Sequence, residues 1–344
     1  MTAAIFKLQD ILLSRNENAN NSLSPVVFLT EYEHNSNYLS WMNRNCECVI
    51  IKNNELGQPD IKYLKEKLEK YKERKIKIAS LSACSNITGI IIELKPIINL
   101  VKKYNVITCV DYTTLAPYKN INLLEFDNKI DALFFSGHKF LGGVGSSGIL
   151  LINKSIYNCD IPTRVGGGVI EYVKPNKQIV YKNSIDEREE AGTPGIIQTI
   201  KASLALKLKE QMGSEMIDSR EKGIVKYMLD ELSVNGLEIY DYNIQNRIAI
   251  ISFNTNNCYN MVVQELSDEY GIQARGGCCC AAIYVNKLFE NGKKNKWLIN
   301  KCTNYNEKPG IVRISVNPVM SDSDIEYICS SIKKMSKKYL INKN

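Results

Sequence analysis

Strand-like and helix-like segments alternate along the first part of this 344-residue chain. Four short apolar runs have the length of buried strands, at residues 76–81, 106–110, 130–135 and 148–152. Between them, apolar residues recur at helical spacing, for example over 96–104, where Pro96 is suited to open a helix. This alternation predicts an α/β fold in which a mostly parallel central sheet is covered by helices on both faces.

The second part of the chain has a different pattern. A long helix is predicted over residues 194–212, and beyond residue 218 helices and strands follow one another as in a small α+β unit. A chain of this length exceeds the size that one core usually serves. We therefore predict a large domain over residues 1–215 and a smaller C-terminal α+β domain over 216–344.

A single lysine, Lys139, stands in the turn that follows the third apolar run. The turn, residues 136–139, reads Ser-Gly-His-Lys. Ligands of open α/β sheets bind at the carboxyl ends of strands, and a lysine amine there can condense with an aldehyde cofactor. Among 44 Lys and Arg residues, Lys139 alone would be interpreted as a surface residue. However, Asn86 and Asp111 follow two other predicted strands, and together the three residues predict a site at one edge of the sheet.

Composition and charge favour a soluble protein without a nucleic-acid partner. The formal net charge of +7 comes from scattered lysines rather than from a basic stripe, a pattern typical of a solvated surface. No apolar run approaches the length of a membrane span, and the N-terminus lacks the segments of a signal peptide. We predict a cytoplasmic protein that binds no membrane.

Three adjacent cysteines at residues 278–280 follow two glycines. Neighbouring residues rarely point at one tetrahedral centre, and their spacing differs from that of paired CxxC zinc sites. The chain also has only two histidines to complete a metal shell. No metal site is predicted.

Seven motifs follow one another along the chain. They are Glu33-His34-Asn35-Ser36-Asn37, Ser85-Asn86-Ile87-Thr88-Gly89, Asp111, Ser136-Gly137-His138-Lys139, Ala191-Gly192-Thr193-Pro194, Arg275-Gly276-Gly277-Cys278-Cys279-Cys280 and Val312-Arg313-Ile314-Ser315. In this order they resemble the class V aminotransferase family, the pyridoxal-phosphate-dependent group of fold type I that includes the cysteine desulfurases. The resemblance covers nearly the whole chain.

The resemblance implies that the chain binds pyridoxal 5'-phosphate (PLP). Lys139 would form a Schiff base with the cofactor, and Asp111 would pair with the pyridine nitrogen and keep it protonated. His34 would stack on the ring and assist proton transfer. Asn86 would reach the ring oxygen. The family usually has a glutamine three residues after the aspartate, where this chain has Thr114.

Several small donors would hold the phosphate of the cofactor. The resemblance assigns this task to Ser136, His138 and Thr193, with Thr193 reaching across from the other subunit of a homodimer. Thr2 precedes a helix predicted over residues 3–13, and a threonine N-cap with free backbone amides behind it suits a phosphate.

On the substrate side, the resemblance assigns Arg313, with Arg275 as a further candidate, to the carboxylate of an amino acid. Cys280 matches the sulfur-accepting cysteine of the family. Its thiolate would attack the sulfur of a bound cysteine and leave alanine and an enzyme persulfide. Cys278 and Cys279 have no assigned role, and a sulfur-acceptor protein is an additional expected partner.

We therefore predict a PLP-dependent, homodimeric enzyme of the cysteine desulfurase type. Aminotransfer, selenocysteine cleavage and racemisation or epimerisation share the same lysine and aspartate and stay open, as does a non-catalytic dimerising homologue. The chain begins at what resembles the middle of the phosphate loop, with Met1 where a glycine is expected. The family's N-terminal segment is thus predicted to be missing, which would leave an unpaired sheet edge and exposed apolar surface.

Overall fold

The computed structural model describes residues 1–13, 24–234, 236–255, 257–291 and 310–341. Its central sheet is built from β1 (Val26–Thr30), β2 (Glu47–Ile51), β3 (Lys77–Ser82), β4 (Ile107–Asp111), β5 (Ala132–Ser136) and β6 (Gly148–Ile152). The strand order is β2-β1-β3-β4-β5-β6. The first five strands are parallel, and β6 is antiparallel to β5. The predicted mostly parallel sheet is confirmed.

Helices cover both faces of this sheet because side chains alternate along each strand. On β1, Val26 and Phe28 join one apolar core, whereas Val27 and Leu29 join another. Helices on the first face are α3 (Ile61–Lys70) and α4 (Leu94–Lys102), and those on the second face are α1 (Thr2–Leu13) and α2 (Asn35–Met42). Each fully buried apolar side chain of this kind stabilises the fold by about 1.5–3 kcal/mol.

The element boundaries differ from the predicted ones by one or two residues. Strands β4 and β5 end on the polar residues Asp111 and Ser136 rather than just before them. Helix α4 begins two residues before Pro96. The proline therefore lies inside the first turn, where a backbone N–H has no helical partner to lose.

The N-terminal helix α1 has its predicted apolar face, since Ile5, Leu8 and Leu12 are at most 2% exposed. Its start differs from the prediction. The helix begins at Thr2, and the carbonyl of Met1 accepts the N–H of Ile5 at 3.0 Å. Met1, not Thr2, is therefore the residue whose carbonyl starts the helical ladder.

A second, antiparallel sheet lies in the C-terminal part of the chain. Its strands are β9 (Glu238–Ile239), β10 (Ile250–Asn254), β11 (Arg275–Gly277) and β12 (Ile311–Ser315), in the order β11-β12-β10-β9. The remaining described elements are β7 (Ile170–Val173), β8 (Ile179–Tyr181), α5 (Ile185–Glu189), α6 (Ile196–Met212), α7 (Ser214–Leu232), α8 (Tyr259–Tyr270), α9 (Ala282–Asn291) and α10 (Asp322–Ile341). Helices α7, α8 and α10 share a core with this sheet. The predicted domain boundary between residues 215 and 216 falls within α7 and stays a prediction.

Two apolar surfaces remain exposed. Strand β6 lies at the end of the six-strand order, and Leu151 on it is 51% exposed. Helix α6 exposes a row of apolar side chains, namely Ile196, Ile197, Ile200 and Leu204, each at least 50% exposed. The structure thus has an open sheet edge at β6 and an exposed apolar row on α6. No helix in the described ranges is long and apolar enough to cross a membrane.

Candidate active site

The carboxyl ends of β3, β4 and β5 bring Asn86, Asp111 and Lys139 to one edge of the sheet. Asp111 is the last residue of β4, and Lys139 closes the short 3-10 turn that follows β5. The Lys139 Nζ atom donates to Thr114 Oγ1 at 3.4 Å, while Asp111 accepts the N–H of Thr113 at 2.8 Å. Because parallel strands end at the same edge, residues far apart in sequence share one crevice.

Asp111 and Lys139 shift each other's pKa values. Burial raises the pKa of Asp111, and the bond from Thr113 and the charge of Lys139 oppose that rise. Lys139 is exposed along its side chain, yet protein packed around its ammonium group lowers its pKa, while Asp111 acts in the other direction. A lysine shifted in this direction yields its neutral, nucleophilic amine more readily than a surface lysine does.

His34 lies at the start of α2 and faces a positively charged site. Its Nδ1 atom accepts the N–H of Ser36 at 3.1 Å, which leaves Nε2 as the nitrogen available to a ligand. Burial lowers the pKa of His34 to about 4, and the positive charges of Lys139 and Arg275 add to that effect. The imidazole is therefore neutral near pH 7 and can lie against an aromatic ring or exchange a proton.

Glu33 precedes His34 in the first motif, and the sequence predicted no role for it. It is 1% exposed and accepts five hydrogen bonds, two each from Thr30 and Ser82 and one from Asn37, at 2.7–3.1 Å. These donors come from the ends of β1 and β3 and from α2. Burial raises the pKa of Glu33 to about 7, against the effect of its hydrogen bonds. The carboxyl group thus ties together three elements that carry the site.

The residues predicted to hold a phosphate are only partly assembled. Ser136 is buried at the end of β5, and His138 is exposed two residues later. The Thr2 hydroxyl lies 2.9 Å from that of Ser36, next to His34. In the described ranges, no hydrogen bond joins Thr193 to these residues, and Thr193 is exposed.

Two arginines lie opposite each other on neighbouring strands of the small sheet. Arg275 on β11 is in register with Arg313 on β12. Like charges at such positions destabilise a sheet unless an anion lies between or near them. Arg313 donates from one terminal nitrogen to the backbone carbonyl of Asn86 at 2.7 Å, but its buried Nε atom has no hydrogen-bond partner in the described structure. A carboxylate would satisfy this arrangement.

The cysteine loop is held against the large sheet by backbone contacts. The side-chain amide of Asn86 donates to the carbonyl of Cys279 at 2.8 Å, and the N–H of Asn35 donates to the carbonyl of Cys280 at 2.7 Å. The buried Oδ1 atom of Asn86 has no partner in the described structure. This oxygen could accept a hydrogen bond from the hydroxyl group of an aromatic ligand.

The predicted residues fit a flat, anionic aldehyde and an amino acid beside it. The amine of Lys139 and the carboxyl of Asp111 interact electrostatically, His34 offers a neutral ring, and unsatisfied polar atoms remain on Asn86 and Arg313. The described residues contain no group of His, Cys, Asp or Glu side chains arranged to hold a metal ion.

A family model and curated relatives match this chain. Residues 19–328 match the family model described as Aminotransferase class-V. A probable cysteine desulfurase of Borreliella burgdorferi is 32% identical over 280 residues, which cover 79% of this chain and 64% of the relative. A probable cysteine desulfurase of Pyrococcus abyssi is 30% identical over 274 residues, which cover 77% of this chain and 65% of the relative. The match thus spans less than two thirds of the length of these relatives.

Solved structures show the same fold. The apo structure of a cysteine desulfurase from Thermococcus onnurineus has a TM-score of 0.78 at 23% identity, over 98% of this chain and 78% of that chain. The cysteine desulfurase CsdA from Escherichia coli also has a TM-score of 0.78, at 21% identity, over 98% of this chain and 77% of that chain. The predicted fold type is therefore confirmed.

Proposed function

This chain belongs to the aminotransferase class-V family, and on that premise we propose that it uses PLP to remove sulfur from L-cysteine. The observation that carries the proposal is the convergence of Lys139, Asp111 and His34 at one sheet edge, with a pair of arginines and a cysteine loop facing them. The resemblance to cysteine desulfurases from two other organisms supports the choice of substrate.

The residues at the sheet edge suit the cofactor. When bound, PLP supplies an aldehyde that condenses with amines and a protonated ring that accepts electrons from an amino acid. Lys139 would hold the aldehyde carbon, and Asp111 would keep the ring nitrogen protonated. His34 would lie on the ring with Nε2 free for proton exchange. The unsatisfied Oδ1 atom of Asn86 would bind the ring hydroxyl.

Four small polar residues complete the proposed cofactor site. Thr114 occupies the position of the family's glutamine and already accepts from Lys139. Ser136, His138 and Thr2 would surround the phosphate, where the N-terminus of α1 adds free backbone N–H groups.

The arginines and the cysteine loop suit the substrate. Arg313, through its unsatisfied Nε atom, and Arg275 would hold the carboxylate of cysteine. The Cys280 thiolate would form a bond to the substrate sulfur while the carbon–sulfur bond breaks, giving alanine and a persulfide on Cys280.

We place this chemistry in a homodimer. Thr193 is exposed and precedes α6, whose apolar side chains Ile196, Ile197, Ile200 and Leu204 are exposed as well. A second copy packed on this face would bury that apolar surface and could bring its own Thr193 to the phosphate. As the sequence predicts, we also propose a cytoplasmic location and a sulfur-acceptor protein.

The proposal is tested by measuring alanine released from L-cysteine by the full chain supplied with PLP. Wild type should release alanine, and Lys139→Ala should release none. Cys280→Ala should bind PLP but release none, because the substrate sulfur has no acceptor. Alanine release that Cys280→Ala leaves undiminished would overturn the desulfurase assignment, and its absence in folded wild type would favour a non-catalytic homologue.

A further inference from the structure

The three adjacent cysteines differ in their access to solvent. Cys278 is exposed, Cys279 is buried and Cys280 is intermediate, and all three are free thiols. Only Cys280 has a place in the proposed reaction. A sulfur atom left on a half-buried cysteine must still reach an acceptor outside the cleft, and Cys278 is the exposed thiol next to it.

The backbone of the loop forms a tight turn that brings Cys278 and Cys280 close. The carbonyl of Cys278 accepts the N–H of Ala281 at 2.9 Å, so Cys279 and Cys280 occupy the two central positions of the turn. Both have positive φ angles, 46° and 60°. This conformation is costly for residues other than glycine, and such strain concentrates at functional sites.

Chain geometry keeps the two outer cysteines within reach of each other. Two consecutive trans peptides span at most about 7.6 Å between the Cα atoms of Cys278 and Cys280. Cysteines that share a sulfur–sulfur bond have Cα atoms about 4.4–6.8 Å apart. The upper limit lies close to this range, and the turn shortens the span further, so exchange of sulfur between the two residues is compatible with the contacts of the loop to Asn35 and Asn86.

Cys279 is unsuited to this task although it lies between them. It is 7% exposed, and burial raises the pKa of its thiol. Because the thiolate is the reactive form, a buried thiol with a raised pKa is inert. Cys279 therefore serves as a matched control within the same turn.

We propose that Cys278 takes the sulfane sulfur from Cys280 and presents it at the surface, an inference that rests on the proposed desulfurase function. The Cys278 thiolate attacks the terminal sulfur of the Cys280 persulfide. A new sulfur–sulfur bond forms on Cys278, the old one breaks, and Cys280 leaves as a thiolate. The proton that the terminal sulfur carries moves with it. The exchange has no net oxidation, and Cys280 is ready for the next substrate.

The experiment follows the sulfur rather than the rate alone. The full chain supplied with PLP is given one equivalent of sulfur-labelled cysteine, quenched with an alkylating agent at successive times, and mapped by peptide mass spectrometry while alanine is counted. In wild type, label should be found first on Cys280 and then on Cys278. In Cys278→Ser it should stay on Cys280, and in Cys279→Ala it should move as in wild type.

Transfer of the labelled sulfur to an external thiol gives a second readout. Transfer of the label to a thiol-terminated polyethylene glycol, which is too bulky to enter the cleft, should slow about tenfold in Cys278→Ser and remain unchanged in Cys279→Ala. Label confined to Cys280 in a wild-type chain that forms alanine would overturn the relay and leave the desulfurase function standing. If neither alanine nor labelled Cys280 forms, the proposed function fails and the relay fails with it.

Discussion

The sheet edge and the cysteine loop differ in how their side chains are held. At the sheet edge, charged groups are buried and held from several sides, as Glu33 is by five hydrogen bonds. The cysteine loop is a turn with two left-handed residues, held through backbone carbonyls, and its cysteines range from buried to exposed. The first region fixes carboxyl groups in place, and the second carries the thiols that the proposed reaction uses.

This difference indicates which substitutions should affect stability and which should affect only the proposed reaction. Substitutions at the buried edge should cost stability, chemistry or both, because each carboxyl group has partners on other elements. The cysteine side chains have no such partners among the hydrogen bonds of the loop, where backbone atoms make the contacts. Changes to the Cys278 and Cys280 side chains should affect sulfur transfer while leaving the fold nearly unchanged.

Beyond the loss of all activity expected in Lys139→Ala and Cys280→Ala, the largest effect is expected at Asp111. Asp111→Asn keeps the shape of the side chain and an oxygen to accept the N–H of Thr113, but removes the charge that would keep the cofactor nitrogen protonated. Alanine formation should fall by about 100-fold to 1000-fold, as for other losses of a preorganised charge. Steady-state assays and an unfolding curve would check this. Activity close to wild type would mean that Asp111 does not face the ring.

A large effect on stability is expected at Glu33. Glu33→Ala leaves five buried donors without their acceptor, and we expect the free energy of unfolding to fall by at least about 3 kcal/mol. Urea denaturation followed by circular dichroism gives this value. Glu55→Ala, at an exposed position, is the matched control and should change stability by no more than about 0.5 kcal/mol. Equal stabilities of the two variants would contradict the role given to Glu33.

A smaller, more selective effect is expected at Arg313. Arg313→Lys keeps the positive charge but loses the planar group whose Nε atom has no partner. The KM for cysteine should rise about tenfold, with kcat reduced less, because ground-state binding of the carboxylate is weakened. Steady-state kinetics over a range of cysteine concentrations would show this. A fall in kcat at unchanged KM would place Arg313 outside the carboxylate site.

The last prediction concerns the pH dependence of stability. Burial raises the pKa of Glu33 from 4.5 to about 7, so between these values the folded chain keeps a proton that the unfolded chain releases. The stability from this protonation is fully present below pH 4.5 and is lost as the pH rises through 7. The stability advantage of wild type over Glu33→Gln should therefore shrink over that range in urea titrations. A constant difference would show that the pKa of Glu33 is not raised in the folded chain.

Strands β3 to β6 and the lysine turn could be predicted because their signals are local, whereas β1 and β2 were not predicted. Apolar runs of strand length end at polar residues, and Lys139 follows such a run. The residues at the sheet edge could therefore be predicted from the sequence. The expected roles of Cys280 and Arg313 came from the resemblance to the family. The predicted start of α1 was wrong. The sequence cannot show whether the carbonyl of Met1 or the hydroxyl of Thr2 caps the first turn.

What the sequence could not supply are contacts between distant residues. Glu33 receives hydrogen bonds from Ser82, 49 positions away, and the amide of Asn86 reaches the carbonyl of Cys279, 193 positions away. The pairing of Arg275 with Arg313 depends on strand register. A buried carboxyl group must have hydrogen-bond partners. The position of Glu33, shortly after an apolar run, was therefore the one sequence feature that could have indicated its role.

The most direct test of a working site at the sheet edge is the visible absorption of the full chain mixed with PLP, compared with Lys139→Ala, before and after L-cysteine is added. We predict an absorption band that depends on Lys139 and changes when cysteine is added. A folded wild-type chain whose spectrum equals that of free PLP, or a band that Lys139→Ala retains unchanged, would contradict the assignment of Lys139 as the cofactor-binding lysine.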